Sequence, residues 1–139
     1  MKRAAITFAL ITMLTTGCGA LRDDVEPQED DALSAQIKQV NRPGGERRLK
    51  DMAPGDWDTV HIFGEYDSRD EIEKTVGTKV DMGDSIESTY HLLFFMENGK
   101  LIRAVKTRPS NLMPGTYGAD LVLKGRPVPG STVLDLVSP

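Results

Sequence analysis

Tyr90-His91-Leu92-Leu93-Phe94-Phe95-Met96-Glu97-Asn98-Gly99-Lys100-Leu101-Ile102-Arg103-Ala104-Val105-Lys106-Thr107 holds two runs of β-favouring residues around one Asn-Gly pair. Asn-Gly is the preferred centre of a type I′ hairpin, because both residues tolerate positive φ and the turn twists in the same sense as its strands. A two-residue loop sets the pairing. Glu97 is expected opposite Lys100, Met96 opposite Leu101, Phe95 opposite Ile102 and Leu93 opposite Ala104. Leu92 to Met96 is apolar on both faces, so this strand is expected at the centre of a sheet covered on each side.

Working outward, Trp57 to Phe63 reads as a strand, with Val60 and Ile62 bracketing His61 and Gly64 ending it. Ser68 and Glu71 have the spacing of a capping box, Ile72 and Val76 share one helical face, and Gly77 suits a left-handed stop. These signals predict a helix of about two turns. Beyond the hairpin, Ala119 to Leu123 and Thr132 to Val137 alternate as strands joined by the loop Gly125-Arg126-Pro127-Val128-Pro129-Gly130. Leu33, Ile37 and Val40 recur at spacings of four and three, which predicts a short amphipathic helix from Asp31 to Val40. Together these elements predict an α+β fold, with a small antiparallel sheet of about four to five strands and one or two short helices. About 100 residues follow Asn41, enough for one small core.

The chain of 139 residues carries 17 basic and 21 acidic side chains. Much of the acidic excess is local: Asp23, Asp24, Glu26, Glu29, Asp30 and Asp31 stand against Arg22 alone. Such a segment has few apolar residues to bury and is expected to be a flexible acidic tether that holds the following domain off a surface. The densest basic segment, Arg42, Arg47, Arg48 and Lys50, is interrupted by Glu46 and lacks aromatic residues, so no nucleic-acid partner is expected.

Side chains able to do chemistry are few. His61 and His91 are the only imidazoles, and Cys18 is the only thiol. Each histidine lies in a predicted strand between apolar neighbours, so a hydrogen-bonded sheet position is the expected role, and no metal or cofactor is assigned. The alternative is a small-ligand or metal pocket that uses His61, His91 and Glu65. Gly83-Asp84-Ser85-Ile86 resembles the nucleophile block of the GDSL esterases, and Asp58-Thr59-Val60-His61 has their Asp-any-any-His spacing. The order is reversed from that family, however, and no oxyanion donors are evident. No catalytic residue is assigned, and no enzymatic activity is expected. Exposed aromatic and apolar residues anchor protein interfaces, which makes Trp57, Tyr66 and the loop residues Leu112, Met113 and Tyr117 the candidate partner-binding set.

At the N-terminus, Lys2 and Arg3 precede an apolar run from Ala4 to Leu14, followed by Thr15-Thr16-Gly17-Cys18. The run is too short for a membrane span, which needs about 20 apolar residues. This arrangement resembles the lipobox family of signal sequences, which carries leucine three residues before the cysteine; here Thr15 holds that place and Leu14 stands one step earlier. The resemblance implies cleavage before Cys18, lipidation of its sulfur and acylation of its amine. Cys18-Gly19-Ala20 is also a small-any-small site, and cleavage after Ala20 would give a soluble chain without cysteine. The lipobox reading divides the chain into a signal peptide over 1–17, a lipid-anchored acidic tether over 18–40 and a single α+β domain over 41–139. It implies a bacterial envelope protein, held to the membrane through Cys18 and facing the periplasm or the outside. Gly19 and Ala20 after the cysteine imply the outer membrane in a Gram-negative cell. The body, through Trp57, Phe63-Gly64-Glu65-Tyr66, Ile72, Gly77 and Phe94-Phe95, is similar to small uncharacterised bacterial lipoproteins. That likeness implies an envelope interaction or structural module with an envelope protein as partner.

Overall fold

The structure is a computed structural model describing residues 24–87, 89–108, 112–128 and 133–139. Among the described residues, two sheets and three helices make an α+β fold, the class expected from the sequence. The larger sheet contains β1 (Gln28–Glu29), β3 (Thr59–Phe63), β4 (His91–Glu97), β5 (Lys100–Thr107) and β6 (Gly115–Gly118), in the order β1-β5-β4-β3-β6. All its pairings are antiparallel except the short parallel one between β1 and β5. A second, three-stranded sheet has the order β2-β7-β8, from Glu46–Arg48, Val122–Gly125 and Leu134–Val137. The helices are α1 (Asp31–Val40), α2 (Leu49–Met52) and α3 (Arg69–Val76).

The β4–β5 hairpin forms as its turn predicts. Asn98 and Gly99 have φ of 49° and 77°, and Asp58 fastens the tip by accepting from the Asn98 amide at 2.7 Å. Glu97 pairs with Lys100 and Met96 with Leu101, but the expected register fails at the next step. A β-bulge shifts the ladder, so Phe95 pairs with Arg103, Phe94 with Ala104 and Leu93 with Val105. The extra residue is Ile102, which is 46% exposed. In the unbulged register Ala104 would share a face with Leu93 and Phe95. The bulge brings the larger Val105 onto that buried face instead, and burial of the added methyl groups offsets the irregular pairing.

β4 is covered on both sides, as its apolar run predicts. Leu93, Phe95 and Val105 on one face pack against α1, α2, Trp57 and the smaller sheet. Leu92 and Phe94 on the other pack under α3 through Ile72 and Val76. The α3 ends are the expected ones. Ser68 and Glu71 form the capping box, and Gly77 closes the helix at φ 74°.

Three expectations change. Tyr117 is not a loop residue as expected, because Gly115–Gly118 is strand β6, which pairs with the free edge of β3; residues 109–111 lie outside the described residues. Strand 119–123 starts later, at Val122, because Ala119 and Asp120 lie in the turn between the sheets. Third, the acidic segment is not a free spacer over the described residues. Val25 bridges to Val80, Gln28 and Glu29 pair with Val105 and Lys106, and Asp30 caps α1 by accepting from the Leu33 amide. Leu33, Ile37 and Val40 of α1 then enter the main core, so the packed unit begins near Val25 rather than Asn41. Backbone pairing and one apolar helix face hold a segment whose composition alone suggests disorder.

The smaller sheet depends on a close approach between main chains. Gly125 donates to the Gly45 carbonyl at 2.8 Å, and a Cβ on Gly125 would lie 2.0 Å from the Arg42 carbonyl oxygen. Glycine is required there for steric reasons.

Candidate functional site

The five candidate partner-binding residues do not form one patch. Trp57 is 2% exposed, its Nε1 donates to the Ala53 carbonyl at 2.7 Å, and its ring packs against Phe95. Leu112 is likewise buried in the main core. Both are core residues rather than the expected surface anchors: each fills space between the larger sheet and the elements covering it. Tyr117 is partly buried against the same core, and its hydroxyl donates to the Met113 carbonyl at 3.0 Å. Met113, 52% exposed, and Tyr66, 81% exposed, remain at the surface.

Tyr66 sits on the turn Gly64-Glu65-Tyr66-Asp67, between β3 and α3. The Asp67 amide donates to the Gly64 carbonyl at 3.1 Å, and the Asp67 carboxylate accepts from the Gly64 amide at 2.8 Å. The turn therefore closes twice. Tyr66 has φ 73° at the third position, where a turn of this hand normally takes glycine. A tyrosine there is strained, because its Cβ crowds the backbone. The Tyr66 amide donates to the Ile86 carbonyl and the Ile86 amide to the Asp67 carbonyl, so a neighbouring segment locks the conformation. The phenol hydrogen-bonds Glu65, and this bond, together with the carboxylate's charge, raises the Tyr66 pKa above the ordinary phenol value.

Gly64 joins this turn to the segment carrying Met113. A Cβ on Gly64 would lie 2.9 Å from His91 Nε2 and 3.0 Å from Pro114 Cγ. The root of the turn is thus pressed onto a buried imidazole and onto the residue after Met113. A rigid base with exposed Tyr66 and Met113 beside it is the arrangement an interface anchor requires.

The histidines do not cooperate. His61 shares its sheet face with Phe94, the face that α3 covers, whereas His91 faces the opposite side, with Leu93 and Phe95. His61 Nδ1 is 2.8 Å from Thr116 Oγ1, and partial burial lowers the His61 pKa. Burial lowers the His91 pKa as well, partly offset by a hydrogen bond with the Leu112 carbonyl and by the charge of Asp67. His91 Nδ1 and Thr107 Oγ1, on residues directly opposite in β4 and β5, are both buried without a hydrogen-bond partner. Glu65 is exposed on the turn and engaged with Tyr66. A single ion or small ligand cannot bridge imidazoles on opposite faces of a sheet, and no group of three metal-ligating side chains occurs among the described residues.

The esterase-like residues are likewise separated in role. Asp58 accepts from Thr59 Oγ1 and the Asn98 amide, while His61 Nδ1, the atom an orienting carboxylate would hold, faces Thr116. Asp84 pairs with Arg69 at 3.3 Å, and Ser85 forms a β-bridge with Ser68. These contacts are those of polar turns.

Sequence reading missed the strained backbone of Tyr66, since no residue pattern announces a tyrosine where glycine is preferred. Cys18 lies outside the described residues. Among those that are described, no helix is long and apolar enough to cross a membrane. Fold and surface define a small α+β domain of two sheets, with one locked turn presenting an exposed aromatic ring. Comparison with family models, with curated proteins and with solved structures finds no match for the chain.

Proposed function

We propose that this protein is a lipid-anchored module of the bacterial cell envelope that binds a protein partner through the Tyr66 turn and catalyses no reaction. The observation that carries the reading is Tyr66 itself, held at φ 73° and 81% exposed. Strain at an exposed aromatic, fixed by two backbone hydrogen bonds with the Ile86 segment, is characteristic of a ring positioned for contact. Met113 adds a flexible apolar side chain at the same end of the sheet, suited to an interface that must adapt its packing. The anchor is supported by the N-terminal series Lys2, Arg3, Ala4 to Leu14 and Gly17-Cys18. Cleavage before Cys18 places the mature chain on the membrane, facing the periplasm or the outside.

Cross-linked capture from detergent-solubilised envelopes tests the binding surface. A partner captured by the native chain is expected to be lost with Tyr66→Gly and kept with a control substitution at exposed Lys38 on α1. Equal capture by Tyr66→Gly and the native chain would place the interface elsewhere. Cys18→Ala tests the anchor, and that variant is expected to lack the mass of the attached lipid and to be no longer cut before residue 18. Unchanged membrane partition and unchanged mass of Cys18→Ala would remove lipidation from the reading.

A further inference from the structure

We infer that the end of the domain built by Val25, the C-terminus of α3 and the β4–β5 turn faces the anchoring membrane at short range, so that the Tyr66 turn is presented away from it. The inference rests on the reading of Cys18 as the lipid-bearing residue and adds to it a fixed polarity.

Val25 is clamped from both sides. Its amide donates to the Lys79 carbonyl and its carbonyl accepts from the Asp81 amide, each at 2.9 Å, in a parallel bridge with Val80. The point where the chain joins the domain is therefore set by the fold. Val25 shares a surface cavity with Val76, Gly77, Gly99 and Lys100, which places it at the hairpin-tip end of the sheet. β4 runs from Glu97 at that end to His91 at the other, where Gly64 and the Tyr66 turn pack. Seven residues at about 3.3 Å each separate the two ends by roughly 20 Å.

From Cys18 to Asp24 there are six peptide steps, which span at most about 20 Å in any conformation. The connection is no longer than the sheet. Turning the Tyr66 end onto the headgroups would require the connection to be fully extended, and the entropy of that extension opposes it. At the Val25 end Asp24, Asp58 and Asp81 stand against Lys79 and Lys100, which leaves no net positive charge to draw it to anionic lipid, so short-range contact follows from the length of the connection and not from charge. The polarity is therefore expected to persist in high salt.

The test uses the full, lipidated protein in phosphatidylcholine vesicles containing a headgroup-attached nitroxide quencher. Lipid blocks the Cys18 sulfur, so single introduced cysteines, Lys100→Cys at the hairpin tip and Glu87→Cys beside the Tyr66 turn, accept a small fluorophore selectively. Quenching at position 100 is expected to exceed that at position 87 by about twofold or more, in low and high salt alike. Equal quenching, stronger quenching at 87, or no quenching at either position on vesicle-bound protein overturns the polarity and leaves the anchor standing. Protein that fails to float with vesicles defeats the Cys18 reading, and the polarity with it.

Discussion

The Trp57 indole packs against the Phe95 ring with 5.1 Å between centroids, joining the segment before β3 to the centre of the sheet. The Lys50 ammonium lies 4.8 Å from the outer side of this pair, over Trp57, and Arg103 lies 5.7 Å from Phe95 while also pairing with Asp30. Cations thus cover aromatic rings where the core meets solvent. Trp57→Ala is expected to destabilise the domain by about 3–5 kcal/mol, the usual range for a buried tryptophan, as read by urea unfolding. A surface anchor would give a change within about 0.5 kcal/mol, so the measurement separates the two roles of this residue cleanly.

The hairpin shows how far sequence carries. Asn98-Gly99 fixes the turn because its requirement is local, namely two residues at positive φ. Ser68, Glu71 and Gly77 set α3 for the same reason. The bulge at Ile102 is set by competition between Ile102, Ala104 and Val105 for a buried face that other elements complete, which no local pattern records. Val105→Ala is therefore expected to cost about 2 kcal/mol, whereas Ile102→Thr is expected to cost less than about 0.5 kcal/mol. The unbulged register demands the reverse order, and paired chemical denaturation curves decide between them.

Other parts of the fold were hidden for similar reasons. β2, Glu46-Arg47-Arg48, has no apolar residue to mark it, and it forms beside the contact of Gly45 with Gly125. β6 is bracketed by glycines that disguise a strand whose β-favouring residues are only Thr116 and Tyr117. At the candidate site, the aromatic identity of Tyr66 was legible. Its left-handed backbone was not, because the cause is the Ile86 segment from beyond α3.

Burial lowers the His91 pKa, so the folded chain takes up its proton less readily than the unfolded chain. The unfolded state then binds more protons on the acid side of the ordinary histidine pKa, and stability rises with pH there. The contribution is complete above about pH 6.5 and is lost as pH falls from that value toward the folded pKa. His61, less buried and shifted in the same direction, adds a smaller dependence. Urea unfolding between about pH 5 and 8 is expected to show stability decreasing toward acid, with a shallower slope in His91→Phe than in His61→Phe. Parallel curves for the native chain and His91→Phe would show that His91 does not carry the effect.

Tyr66 separates stability from binding. At φ 73° glycine carries no steric penalty, so Tyr66→Gly removes the strain, although glycine also adds backbone freedom to the unfolded chain. Little packing is lost, because the ring is mostly in solvent. The variant is therefore expected to melt at the native temperature or up to roughly 5 °C above it, while partner capture disappears. Tyr66→Val makes the opposite comparison, since a β-branched residue is disfavoured at positive φ, and it is expected to melt several degrees lower. Gly64→Ala probes the base of the same turn. Its Cβ would press on His91 and Pro114, so a loss of about 1–3 kcal/mol is expected, with capture falling as the ring loses its support. If Tyr66→Gly melts far below the native chain, the ring has a packing role and the strained turn no longer argues for a partner.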